Sequence, residues 1–371
     1  MKKKIFYCAF NDVSNHKDSG VAKKVKFQIK ALQKNKFNVY YSFFNKNIIE
    51  FNTGKRVEFN NKVQKKVLKY HIIIDFIEEV EPDIIYIRYP LSDIWFINFL
   101  KKIKKKNNKI LIEIPTYPYD YEFKKLPFFS FTRITVLMDR LLRRRLKKYV
   151  DKIITFSDKN SIFGTETINI SNGIDLSNIP LAKTEHNKNR DTVNLISVSS
   201  LLYWHGIDRL LKSMKSYYEN NQNYKKLDIL LNVVGDGQEM EYLKKLTKIY
   251  DLEKQVIFHG YKSGEKLDQI YLNSDIGVGC LGNFRKNIDK VKALKNTEYA
   301  ARGLPMFYSE INTDFDDKPF SYKVSHDESI IDLNKLIEFY YELQCSPLEI
   351  RKYVENNLTW KQQFKKVIKG I

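Results

Sequence analysis

Residues 193–214 read VNLISVSSLLYWHGIDRLLKSM, and the same grammar returns in LDILLNVVGDGQEMEYLKKL (227–246), VIFHGYKSGEKLDQIYLNSDIGVGC (256–280) and ALKNTEYAARGLP (293–305). The first three pass from a short β-branched run through a glycine-bearing turn into a stretch with apolar residues at helical spacing, such as Leu210, Leu211 and Met214. Strands are predicted over 194–199, 227–234, 255–258 and 275–280, with helices starting near Gly206, Gly237 and Gly264. Apolar residues fall on both parities of each strand, which suits burial on both faces of a parallel sheet. The turns of such a sheet collect on one edge, where α/β folds take their ligands. A nucleotide-sized anion is therefore the first ligand to expect, although glycines that only make tight turns would read the same way.

Outward from this segment, 371 residues suit two domains of ordinary size. The first half carries strand patterns over 4–10, 38–43, 83–89, 109–114, 152–156 and 167–170, and a helix over 21–33. The polar stretch LAKTEHNKNRD (181–191) is the linker candidate. This gives domains over 1–180 and 181–356, with a closing helix, 357–371, packed on the first. Helices are also predicted over 330–343 and 348–355, and in the last helix Trp360, Phe364 and Val367 share one face.

Cys8, Cys280 and Cys345 form no CxxC pair and no metal-ligand spacing, so no zinc site is expected and a reducing compartment fits. The apolar run in MKKKIFYCAF stops at Asn11 and reads as a first strand, not a signal peptide. No stretch approaches the roughly 20 apolar residues of a membrane span. The expectation is a cytoplasmic protein, with a peripheral place at the inner membrane face as the variant of that reading.

The net charge of +20 is lopsided. Residues 1–185 hold 36 Lys and Arg against 19 Asp and Glu, a balance of +17. The excess gathers in KKIKKKNNK (101–109) and in MDRLLRRRLKKYV (138–150), where Leu137, Leu141, Leu142 and Leu146 would make an apolar face beside a basic one. A solvated helix face, an anionic membrane surface and nucleic acid would each account for it. No nucleic-acid-binding motif accompanies the charge, so nucleic acid is not an expected partner.

Taken together, SGVAKKVKFQIKALQKNKFNV (19–39), SNGID (171–175), VVGDG (233–237), EYAARGLP (298–305) and LTWKQQFKKVI (358–368) resemble the retaining glycosyltransferases of the GT-B fold, family 4, with a glycosyl transferase family 1 C-terminal domain. The resemblance implies two Rossmann-like α/β domains with parallel sheets facing across a cleft. A nucleotide-diphosphate sugar would lie mainly on the C-terminal half as substrate, with no other cofactor and no metal. A saccharide or lipid-linked saccharide acceptor would lie on the N-terminal half, and surface-polysaccharide assembly is the context implied.

Several residues take roles on this basis. Gly20 stands where the family has its glycine turn before the first helix, whose N-terminal amides could meet a phosphate. Gly235 and Gly237 fall near the nucleotide base and ribose. Glu298 matches the second glutamate of the family's E-x7-E motif and would accept hydrogen bonds from the ribose diol. The first glutamate is replaced by Lys290, so sugar contacts would pass to backbone groups around Gly282 in GCLGNFRKN. The family's arginine and lysine for the diphosphate are replaced by Ser200 and His205, which leaves His205, Lys295 and Arg285 to meet charge on the leaving group. In EIPTYPYDYE (113–122), Asp120 could assist deprotonation of the acceptor. DFDD (314–317) reads as a polar loop and not as a metal motif. Two other functions stay open: a nucleotide-sugar 2-epimerase of related fold, and a non-catalytic binder of anionic lipid or nucleic acid.

Overall fold

The short β-branched runs become the strands of two separate sheets in the computed structural model, which describes residues 2–12, 19–120, 131–186, 188, 191–220 and 227–371. The chain forms two units, Met1–Ser171 with Trp360–Ile371, and Asn172–Thr359. The crossing at Ser171–Asn172 lies within SNGID, so LAKTEHNKNRD sits inside the second unit.

The first unit contains β1 (Lys4–Asp12), α1 (Ser19–Lys34), β2 (Asn38–Asn45), β3 (Ile48–Phe51), β4 (Arg56–Glu58), α2 (Lys62–Val80) and β5 (Ile84–Arg88). It continues with α3 (Ile94–Ile103), β6 (Lys109–Ile114), α4 (Phe131–Leu142), β7 (Lys152–Thr155), β8 (Ser161–Ile162) and β9 (Thr165–Asn169). The strand order is β4-β3-β2-β1-β5-β6-β7-β9-β8. Pairing is parallel from β2 through β9 and antiparallel only at the two edges. Every residue of central β5 is buried, which is why IIYI reads as an unbroken apolar run with no alternation, and Arg88 closes the strand paired with Glu113. One face of the sheet packs on α2 and α3 through Ile73, Phe76, Phe96 and Leu100.

The second unit contains β10 (Thr192–Val198), α5 (Ile207–Asn220), β11 (Asp228–Val234), α6 (Met240–Ile249), β12 (Val256–Gly260) and α7 (Glu265–Leu272). After these come β13 (Ile276–Val278), α8 (Leu294–Ala301), β14 (Met306–Tyr308), β15 (Ser321–Lys323), α9 (Leu333–Glu342) and α10 (Pro347–Asn357). Its sheet is parallel throughout, in the order β12-β11-β10-β13-β14-β15. The order reverses at β10, so the loops after β10 and β13 lie side by side at the carboxyl edge, the place such sheets use for ligands.

The chain then returns to the first unit as α11 (Trp360–Lys369). Trp360, Phe364 and Val367 are buried with Val25, Ile29 and Leu32 of α1 against the other face of the first sheet. Gln363 fixes the entry by accepting from the Ser171 backbone N–H at 2.8 Å. Lys24 lies over the Phe156 ring at 3.7 Å, and burial lowers its pKa to about 8 despite the attraction of Glu113.

The leucine-rich basic segment differs from its sequence pattern. α4 stops at Leu142 and a 3-10 turn covers Arg143–Lys148, which changes the phase of the side chains. Leu146 is therefore fully buried, whereas Leu137 and Leu141 point outward, so the four leucines do not share a face.

Candidate functional site

Three loops meet at the carboxyl edge of the second sheet, and glycines let them touch. A Cβ on Gly235, where φ is +133°, would fall 1.8 Å from the Ser199 carbonyl oxygen. A Cβ on Gly237 would fall 2.3 Å from that of Leu201. The chain's own backbone thus fills the space these glycines open, and Leu201 N donates to Asp236 O at 2.9 Å across it. Gly206, with φ +69°, lies against Leu281 and Gly282 in the same manner, and Leu281 N donates to His205 O at 3.0 Å. Ser200 is left exposed at the rim.

His205 and Lys295 come together in this cradle. Burial, with the Lys295 charge added, pushes His205 down to about 3, so it is a neutral imidazole at ordinary pH. Its Nδ1 is sealed from solvent without a hydrogen-bond partner. Lys295 stands in the first turn of α8 and donates to Gly279 O at 2.8 Å. It is deeply set, though part of it still reaches the surface, and burial lowers its pKa against the pull of Cys280 and Glu310.

Glu298 follows one helical turn later, half-buried, on the side set by its three-residue spacing from Lys295. The helix carrying both is pinned by Tyr299, whose hydroxyl donates to Val278 O at 3.0 Å and accepts from Val198 N at 3.1 Å. No side chain caps the start of α8 at Ala293; the Asn296 N–H turns back to Ala293 O at 3.2 Å, which leaves the amides of Leu294 and Lys295 ahead of it as the ones to meet a ligand.

Two residues that motif reading passes over complete the cluster. Glu310, just past β14, is fully buried; burial raises it to about 7, although Lys295 and Asn283 favour its charged form. Neither of its oxygens has a hydrogen bond of ordinary geometry, and the same is true of both side-chain ends of buried Asn296. The sequence signal for Glu310 is a carboxylate placed two residues after the apolar run PMFY at the carboxyl edge of a strand.

Other sequence candidates are engaged elsewhere. Arg285 forks onto Asp208 with two bonds of 2.9 Å and onto Glu328 at 2.7 and 2.8 Å. The bonds to Glu328 first, and then those to Asp208, raise its pKa further, so it clamps the loop after β13 to α5 and offers no free fork to a phosphate. Gly282 lies buried between Trp204 and Arg285. Lys290 forms an isolated bridge with Ile311. In DFDD, Asp316 accepts from Asn312 N at 3.0 Å and Asp314 lies 3.7 Å from Lys292, so this stretch braces its own loop.

In the first unit, Asp120 pairs with Arg140 at 2.9 Å and Arg143 at 3.2 Å. Burial favours its neutral form, but the two guanidiniums outweigh it and hold the pKa low, which makes it a weak proton acceptor as placed. Gly20 is the second residue of α1, the turn before it (13–18) and Glu122 lying outside the described residues.

Fold and site define a class: a protein of two α/β domains built on predominantly parallel sheets, as in GT-B glycosyltransferases, with a polar cradle at the switch point of the second sheet. The family Glycosyl transferases group 1 matches residues 178–313, which contain the whole cradle. Among solved structures, the chain is similar to the apo form of the lipopolysaccharide outer core galactosyltransferase WaaB, at 13% identity over 99% of this chain and 100% of that one, TM-score 0.59. It is also similar to a glycosyltransferase from Rickettsia africae (14% identity, 99% and 97% covered, TM-score 0.58). A third is HepE from Anabaena, in complex with UDP and glucose (12% identity, 100% of both chains, TM-score 0.55). No curated protein matches the sequence.

Proposed function

We propose that this chain is a glycosyltransferase that moves a sugar from a nucleoside-diphosphate sugar to a hydroxyl of a saccharide or lipid-linked saccharide, with retention, in surface-polysaccharide assembly. The observation that carries the reading is the start of α8. Uncapped helix amides, the Lys295 ammonium and the Glu298 carboxylate stand within one turn at the switch point of a sheet inside the matched segment. A diphosphate fits the amides and the ammonium, and a ribose diol fits a half-buried carboxylate. The complex of HepE with UDP and glucose supports a uridine nucleotide as the first donor to try.

Cleaving the bond between sugar and diphosphate develops negative charge on the leaving oxygen. Lys295 and the α8 amides are donors already fixed in position for it, which supports a reaction needing no cation. His205, neutral, contributes at most one N–H and no charge. The test is thermal unfolding with UDP, GDP and their sugars, since a ligand that binds only the folded state raises the midpoint. Wild type is expected to shift with one nucleotide family and E298A to lose that shift while unfolding at the same apo temperature. An unchanged shift in E298A overturns the ribose role. Conversion of the donor alone into an epimer overturns the transferase reading.

A further inference from the structure

The inward face of α4 carries Val136 and Asp139, 4% and 0% exposed, while Ile134, Leu137 and Leu141 are 56%, 52% and 79% exposed. Helices of soluble proteins place their apolar stripe toward the core. Here the buried side holds a carboxylate beside Val136, with Leu142 partly packed on the core, while three further apolar residues, at i, i+3 and i+7, run along the opposite side at 3.6 residues per turn. Asp139 fixes this rotation: it accepts from Ser92 N at 2.8 Å and Tyr119 Oη at 2.6 Å, with Tyr89 Oη as a further donor. The outward stripe is therefore held in place by a buried network and is not an accident of a loose helix.

Cations border the stripe. Arg144, Arg145, Lys147 and Lys148 are exposed just beyond it, and Arg140 is exposed along it. They belong to the half of the sequence that carries +17 of the net charge. α3 contacts α4 and follows β5 at the carboxyl edge of the first sheet; its first two residues, Ile94 and Trp95, are also exposed, with Lys66 Nζ 4.6 Å from the Trp95 ring centre.

From this geometry we infer that the outward face of α4 docks on an anionic lipid surface, with Ile134, Leu137 and Leu141 entering the boundary between headgroups and acyl chains and the arginines meeting lipid phosphates. Long cationic side chains suit this because their stems lie along apolar surface while their heads stay in the polar layer. A second copy of the chain is a poorer occupant. Three aliphatic side chains fall well short of the about 800 Å² per partner that a stable protein interface buries, and the bordering cations would repel their own copies. No described helix is long and apolar enough to cross a membrane, so the contact is one of lying on the surface. The inference stands whether or not the chain transfers sugar.

Flotation of the full chain with vesicles tests it directly. Wild type is expected to float with vesicles of phosphatidylcholine mixed with phosphatidylglycerol and to float poorly with phosphatidylcholine alone. The triple variant I134Q/L137Q/L141Q is expected to lose roughly tenfold or more in partitioning without a change in thermal unfolding, because it removes only exposed apolar surface. L141Q alone, at the most exposed position, is expected to show a smaller loss in the same direction, and R144Q/R145Q a loss that grows as salt is lowered. Flotation of the triple variant equal to wild type overturns the inference. So does a wild type that ignores both vesicles, or one that forms a dimer which the triple variant breaks.

Discussion

Two buried glutamates, one in each unit, are treated in opposite ways. In the first, Glu113 is fully buried and accepts from Gln28 at 2.8 Å, Tyr86 at 2.6 Å and Arg88 at 2.7 Å, with Lys24 3.9 Å away. Burial raises its pKa, but Arg88 and then Lys24 and these bonds pull it below the usual carboxylate value. In the second, Glu310 is as deeply buried, yet its oxygens lack bonds of ordinary geometry and it is pushed up to about 7. A closed network is architecture. Polar groups left open beside a sheet's switch point are what a ligand site needs, since unmet donors and acceptors give binding its specificity.

This contrast can be broken, beginning with its largest expected effect. R88M strands Glu113 in the core of the first unit and is expected to cost about 3–5 kcal/mol in urea unfolding; a loss near zero would show that the network does not hold the unit together. K295M removes a cation that has no such closed set of partners. It is expected to leave stability nearly unchanged and lower the rate of sugar transfer by about 10²–10³-fold, read from product formation. If K295M instead unfolds the protein while transfer per folded molecule is normal, the cradle is architecture too. G235A places a Cβ against the Ser199 carbonyl at a φ that L residues avoid, and is expected to cost on the order of 1–3 kcal/mol.

The most gradual effect, spread over pH, is the most diagnostic. A carboxyl raised to about 7 when folded, against its ordinary 4.5, binds its proton more tightly in the native state. Glu310 therefore contributes stability that is complete below pH 4.5 and lost as pH rises through 7, at no more than about 1.4 kcal/mol per pH unit. His205 works the other way: its folded value of about 3 lies below its ordinary 6.5, so its contribution is present above 6.5 and lost as pH falls toward 3. The two oppose each other between 4.5 and 6.5. The difference between wild type and E310Q isolates the carboxyl, and is expected to show wild type losing ground steadily between pH 5 and 7. A flat difference would mean that Glu310 is ionised and partnered in solution.

The same contrast explains what could be read from the chain. Strands buried on both faces announce themselves as β-branched runs, so the central strands of both sheets were legible. The edge strands β4 and β8 and β3 beside the first of them, of three, two and four residues, offer too little pattern to see. That Lys295 and Glu298 share one side of one helix could be read because their three-residue spacing is local, whereas the roles given to them rest on the family resemblance. Whether a charge is open or spent is not local: Arg285 is committed by Asp208, 77 residues away, and by Glu328, 43 away. Asp120 reads as an available carboxylate until Arg140 and Arg143 fold onto it. Glu310 escaped notice for the converse reason, because lack of a partner is a property of the folded surroundings.

The return of α11 to the first unit has a consequence for how the chain is made. The second unit is one continuous stretch, whereas the first stays incomplete until residues 360–367 have been synthesised and can cover Val25, Ile29 and Leu32. Folding during synthesis ordinarily proceeds from the N-terminal domain; here the later stretch is the first that can finish. On the ribosome, the basic half of the protein waits with part of its core uncovered while the second unit takes shape.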